Sequence, residues 1–173
     1  KFNNVHTRFR AYQLGSKGSS FSYWDSYSNS FWLGEARYNL DNINSIKHEL
    51  KRCGRPCIDN LYISSWDADH CNAIELENIL NEHNPKKIFY PRHKPDPQKQ
   101  NQISSKLLID NYYGPGIFKS DGTNLNSPAK PWQYGEVYYV LEELTGKAND
   151  DSLICLFRSG NFSVLSVGDI ESS

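Results

Sequence analysis

Ser64-Ser65-Trp66-Asp67-Ala68-Asp69-His70-Cys71 follows the apolar run Leu61-Tyr62-Ile63 and precedes a helix-like segment that begins at Ala73. Two carboxylates and an imidazole therefore fall within four residues at a strand-to-helix junction. Side chains alternate along a strand. The reading places Asp67 and Asp69 on one face, with His70 entering as the turn begins. Carboxylates with an imidazole suit zinc, manganese or iron. The bland alternative is that Asp67 and Asp69 cap the following helix, whose first amides lack partners.

A second block weighs against capping alone. Val167-Gly168-Asp169-Ile170-Glu171 ends another apolar run near the C-terminus. A buried strand ending in Gly-Asp exposes one carboxylate at a sheet rim, so Asp169 is the expected bridging ligand. Asp67, Asp69, His70 and Asp169 form the expected metal set, with Asp67 and Asp69 also the expected catalytic residues. Ser65, Glu171 and His93 are further candidates. One or two divalent ions, zinc or manganese, would polarise a scissile group and generate hydroxide.

Outward from these blocks, residues 9–13 read as a strand and 15–20 as a turn of small residues. Residues 21–24 and 30–33 read as strands around a polar turn, an opening meander. Residues 42–52 carry Ile43, Ile46 and Leu50 at helical spacing, with Asp41 or Asn42 as cap and Gly54 as stop. Residues 59–64 read as a strand, 73–81 as a helix, and 86–90 as a strand ended by Pro91. Residues 92–102 read as a loop and 102–110 as a helix. Residues 112–131 form an irregular excursion. Strands over 136–141, 152–157 and 161–167 follow, the last two a hairpin through Arg158-Ser159-Gly160. This order suits a sheet sandwich with helices outside.

At this point the two blocks resemble the metallo-β-lactamase superfamily, whose hallmark is His-x-His-x-Asp-His after a strand, with a later Gly-Asp. The two blocks also resemble the hydrolase domains of ComEC-type DNA-uptake proteins, with His-x-Asp-x-Asp-His and then Thr-Gly-Asp-Leu-Glu. Here Asp67-x-Asp69-His70 and Gly168-Asp169-Ile170-Glu171 match, and the turn at residues 15–20 is similar to the family's opening hairpin. The resemblance follows most of the chain in order, closely in the two blocks. It implies an α/β fold, a metallo-β-lactamase-like αββα sandwich over residues 1–173, with metals at one edge. Three departures stand out: Ser65 occupies the first histidine position, Glu35 replaces the early acidic residue in a shifted register, and no later histidine element follows Asp169. The chain has no methionine and stops two residues past Glu171, so the expectation is that it lacks an initiator and a C-terminal part.

The resemblance implies a metal-dependent phosphodiesterase, a nuclease in bacterial DNA processing or defence, with DNA or RNA as substrate and a protein partner in a multi-component system. A small-ester, lactone or thioester hydrolase is the alternative. So is a degenerate domain that keeps the fold as a partner module. Charge does not choose among them: 19 basic and 20 acidic residues leave no global pull toward nucleic acid or membrane. Lys86, Lys87, Arg92, Lys94 and Lys99 are candidate phosphate contacts, or a solvated loop. Tyr112, Tyr113, Trp132 and Tyr134 either stack on bases or anchor core and loop. The four cysteines do not form a disulfide scaffold, and Cys53 and Cys57 lack the second pair a zinc site needs. No apolar run approaches the roughly 18 residues of a membrane span. A cytoplasmic protein with reduced thiols is the expectation.

Overall fold

The computed structural model describes residues 6–112, 135–139, 145–147, 149, 151–159 and 162–168. A five-stranded sheet runs in the order β1 (Thr7–Ala11), β2 (Phe21–Asp25), β3 (Ser30–Gly34), β4 (Asn60–Tyr62) and β5 (Lys87–Phe89). The first three strands are antiparallel, as the meander reading expects, and β3, β4 and β5 are parallel. Helix α1 (Ile43–Arg52) joins β3 to β4, and α2 (Ala73–His83) joins β4 to β5. Helix α3 (Gln100–Asn111) follows. A second, antiparallel sheet holds β6 (Gly135–Tyr139), β7 (Ile154–Ser159) and β8 (Phe162–Ser166).

Alternation along the strands builds two cores. Phe31, Leu33, Leu61 and Ile88 face the helices, where they meet Ile46 and Leu50 of α1, Leu76 and Ile79 of α2, and Ile109 of α3. Tyr23, Trp32 and Tyr62 face the opposite way and pack with Leu153, Cys155 and Phe157. Phe157 is the hub of that second core, its ring 4.8 Å from Tyr23 and 5.4 Å from Trp32. The described layers are therefore helices, five-stranded sheet, three-stranded sheet. The strand-and-helix order expected from the sequence is present, with boundaries moved by a few residues. At the end of β3, Gly34 is required by contact: an added Cβ would lie 2.2 Å from the Phe21 ring.

Two helix starts differ from expectation. Asn42 stands at the N-cap of α1 but makes no capping bond with its side chain. Its amide instead bridges the Asn39 amide and the Arg37 carbonyl. Helix α3 begins at Gln100, inside the stretch read as loop. Its inward face is polar, with Gln102 and Ser105 buried beside Ile109, so it lacks the apolar period that marks a helix in sequence.

Among the described residues no helix is long and apolar enough to cross a membrane. The four cysteines carry no disulfide. Burial raises the Cys53 thiol to about 11 and the Cys71 thiol to about 12.

Candidate functional site

Three parallel strands send their following segments to one edge of the sheet, the edge at which open α/β sheets place ligands. Glu35 and Arg37 follow β3, residues 64–70 follow β4, and residues 91–99 follow β5. The segments are tied together. The Ala36 amide donates to the His70 carbonyl at 2.8 Å, and the Trp66 indole donates to the His93 carbonyl at 2.9 Å.

The alternation expected of Asp67 and Asp69 does not apply, because β4 ends at Tyr62. Residues 67–71 instead form a helical turn in which the His70 and Cys71 amides donate to the Asp67 carbonyl at 2.9 and 2.7 Å. Nor do these carboxylates cap α2. That cap is Asn72, whose side chain accepts from the Ile74 and Glu75 amides at 3.1 and 3.2 Å. The signal was legible as an asparagine directly before the helical period.

Asp67 Oδ1 accepts from Lys99 Nζ at 2.7 Å and Gln102 Nε2 at 2.8 Å. Partial burial pushes its carboxyl up, but these two donors outweigh it and hold it below the ordinary carboxylate value. Ser65 is fully buried, and its hydroxyl accepts from the Asp67 amide at 3.2 Å. Ser65 thus braces the turn. Asp69 is half-buried, and its carbonyl takes Arg37 Nη1 at 3.1 Å.

The buried carboxylate of the site is Glu35, 1 % exposed, which sequence reading treated only as a shifted family position. Its Oε1 accepts from Ser64 Oγ at 2.6 Å and lies 3.3 Å from His70 Nδ1, while Oε2 accepts from the Ser64 amide at 3.0 Å. Glu35 holds φ at +67°, a conformation that favours glycine. A carboxylate behind a histidine fixes which ring nitrogen carries hydrogen and how the ring is aimed, as in metal sites. Here the Nδ1 edge of His70 is turned to Glu35 and Ser64.

Arg37 was also missed in the sequence. Only 5 % exposed, it pairs with Glu75 at 3.1 Å and donates to the Lys17 carbonyl at 2.7 Å. It joins the small-residue turn, the 67–70 turn and α2. The turn comes so close that a Cβ on Gly18 would lie 2.1 Å from the Asp69 carbonyl oxygen.

His93 is half-buried, not a solvent-exposed loop residue, and both its ring nitrogens are buried without a hydrogen-bond partner. Burial lowers its pKa against the opposing pull of Asp151. Lys86 and Lys87 do not join the group. They stand at the opposite end of β5, where Lys86 pairs with Asp59 at 2.7 Å. Tyr112 anchors a helix end, donating to Asn84 Oδ1 at 2.6 Å. Tyr113, Trp132, Tyr134, Asp169 and Glu171 lie outside the described residues.

The approach of the second block is nevertheless visible. An added Cβ on Gly168 would lie 2.8 Å from Ser152 Cβ and 3.3 Å from Ser64 Cβ. The Leu153 amide also donates to the Ser64 carbonyl at 3.0 Å. Blocks a hundred residues apart in the chain meet at Ser64.

The donor chemistry of the 67–70 turn fits a divalent cation: two carboxylates, an imidazole and a carboxylate behind that imidazole. The placement fits less fully. Among the described residues no three His, Cys, Asp or Glu side chains converge as a metal site. No family model matches this chain, and no curated protein gives a significant match.

Proposed function

We propose that this protein is a metal-dependent hydrolase of phosphodiesters with a metallo-β-lactamase-like αββα fold. The observation that carries the reading is the contact of Gly168 with Ser64, which brings the residue before Asp169 to the loop of Asp67, Asp69 and His70. The layering of helices, sheet and sheet is compatible with it. Asp67, Asp69, His70 and Asp169 would hold the ion. A divalent ion at such a site supplies Lewis acidity and a bound water of lowered pKa. Glu35 and Ser64 keep His70 aimed by its Nδ1 edge. Lys99 balances the Asp67 charge and stands beside the position of an anionic substrate.

The test is elemental analysis of the purified protein after incubation with zinc or manganese, alongside Asp69→Ala and His70→Ala. The reading expects near-stoichiometric metal in the parent, loss in both variants, and metal-dependent cleavage of bis(p-nitrophenyl) phosphate. Cleavage of lactones or thioesters in its place would move the assignment to the small-ester class.

One observation favours a second reading, a non-catalytic partner module. Asp67 already has Lys99 and Gln102 as donors, and Ser65 is spent on its own turn. Absence of metal in the parent after reconstitution would favour that reading and overturn the first.

A further inference from the structure

Among the described members of the expected metal set, Asp67 alone carries a cation of the chain on its carboxylate, with Lys99 Nζ 2.7 Å from Oδ1. We propose that Lys99 is a latch on the candidate metal site: its ammonium group holds Asp67, and a divalent ion enters by displacing it into the neighbouring cleft. The proposal rests on the metal-dependent reading and adds to it a control on loading.

The main chain at Asp67 is fixed independently of its carboxylate. Its amide donates to Ser65 Oγ, and its carbonyl takes the His70 and Cys71 amides. Releasing the carboxylate therefore leaves the turn intact. Lys99 is the exchangeable partner. Its side chain is 52 % exposed, and it borders an open cleft of about 630 Å³ that gives the freed ammonium room. Gln102 is the less mobile partner, buried and tied through Oε1 to the Asp96 amide at 2.8 Å. Its Nε2 is a neutral donor, and carboxylates that ligate metals are themselves hydrogen-bonded. Gln102 can therefore stay on Asp67 while an ion binds.

Lys99 cannot, and charge is the reason. Both donors sit on Oδ1. A divalent ion on Oδ2 would lie beside an ammonium that already neutralises the carboxylate. That like-charge repulsion exceeds the worth of a half-exposed ion pair, so displacing the lysine is the cheaper course. The latch also accounts for the incomplete convergence of ligands. No three His, Cys, Asp or Glu side chains come together among the described residues, and Asp67 is turned to the start of α3.

Lys94 provides the control. It lines the same cleft, is exposed, and pairs with no carboxylate among the described residues. It carries the same charge without holding Asp67.

The experiment is competition for zinc between the protein and a fluorescent chelator of known affinity, at physiological salt and pH 7. The parent is compared with Lys99→Gln and Lys94→Gln. Lys99→Gln is expected to bind zinc about threefold more tightly, the worth of a half-exposed pair. Lys94→Gln is expected to change the affinity less than about 1.5-fold, because salt screens a charge that makes no contact. Heteronuclear NMR of the lysine side chains gives a second readout. Zinc should move the Lys99 signals of the parent to the positions they hold in Asp67→Asn, where the pair is broken. Unchanged or weaker zinc binding in Lys99→Gln, an equal gain in Lys94→Gln, or zinc bound with the Lys99 signals unmoved overturns the latch and leaves the hydrolase reading standing. Zinc bound by Lys99→Gln and not by the parent supports the latch and sinks the hydrolase reading. Zinc bound by none of the three sinks both.

Discussion

Asp59 and Asp67 flank the same short strand, β4, and are both held by cations, yet they are built differently. Asp59 precedes the strand and is 8 % exposed. Its Oδ1 takes Arg55 at 2.5 Å and Lys86 at 2.7 Å, and its Oδ2 takes the Phe31 amide of β3 at 2.9 Å. Asp67 follows the strand, and its donors are the tips of two long side chains, Lys99 at the N-cap of α3 and Gln102 in its first turn, the lysine half-exposed beside an open cleft. The first carboxylate is part of the frame, with a backbone donor that cannot leave. The second is held by groups that can exchange it for another ligand.

The largest expected effect separates these roles. Asp59→Ala leaves the Arg55 guanidinium and the Phe31 amide without their acceptor, and is expected to cost about 3 kcal/mol. Asp67→Ala removes a partly exposed pair and is expected to cost about 1 kcal/mol or less. Urea denaturation at pH 7 measures both. The order reverses for metal retention, which Asp67→Ala should abolish and a milder Asp59→Asn should leave unchanged. Equal losses of stability would remove the distinction between frame and site.

The difference also governs what could be read from sequence. Strands β4 and β5 were legible as short apolar runs, and α1 because Ile43, Ile46 and Leu50 recur at the helical period. The geometry around Asp67 was not. Its partners Lys99 and Gln102 lie 32 and 35 residues away, at the N-cap and in the first turn of a helix whose buried face is polar. Glu35 was visible as a residue, but its role depends on Ser64 and His70 being folded onto it. Arg37 carried no local signal, because its three sets of partners come from three separate segments. Gly168 was legible as the end of a strand, and its contact with Ser64 was not. Residue types near the site could be named, and long-range partners could not.

A smaller effect probes how closely the glycine turn seals the site edge. Gly18 holds φ at +122°, and a Cβ there would lie 2.1 Å from the Asp69 carbonyl oxygen and 2.3 Å from Arg37 Nη1. Gly18→Ala is expected to cost about 2 kcal/mol, combining backbone strain with displaced contacts. Gly54, at the end of α1, holds φ at +64° with nothing within 4 Å of such a Cβ. Gly54→Ala isolates the backbone contribution and is expected to cost about 1 kcal/mol. Thermal melts check the pair. A Gly18 loss no larger than the Gly54 loss would mean that the 15–20 turn does not press on Asp69.

The finest test is acid. At Asp59 burial raises the carboxyl, but Arg55, Lys86 and the Phe31 amide outweigh it; at Asp67 Lys99 and Gln102 do the same. Both folded pKa values therefore lie below the unfolded value of about 3.9. A depressed pKa contributes stability that is fully present above the unfolded value and lost as pH falls through the folded one. Stability should decline below about pH 4. Asp59→Asn should flatten that decline more than Asp67→Asn, because solvent screens the partly exposed Lys99 pair more strongly. Urea midpoints collected between about pH 7 and pH 2 resolve the two slopes. If Asp67→Asn flattened the decline as much, Lys99 would be fixed on Asp67 in the folded protein. It would then not yield Asp67 to a divalent ion.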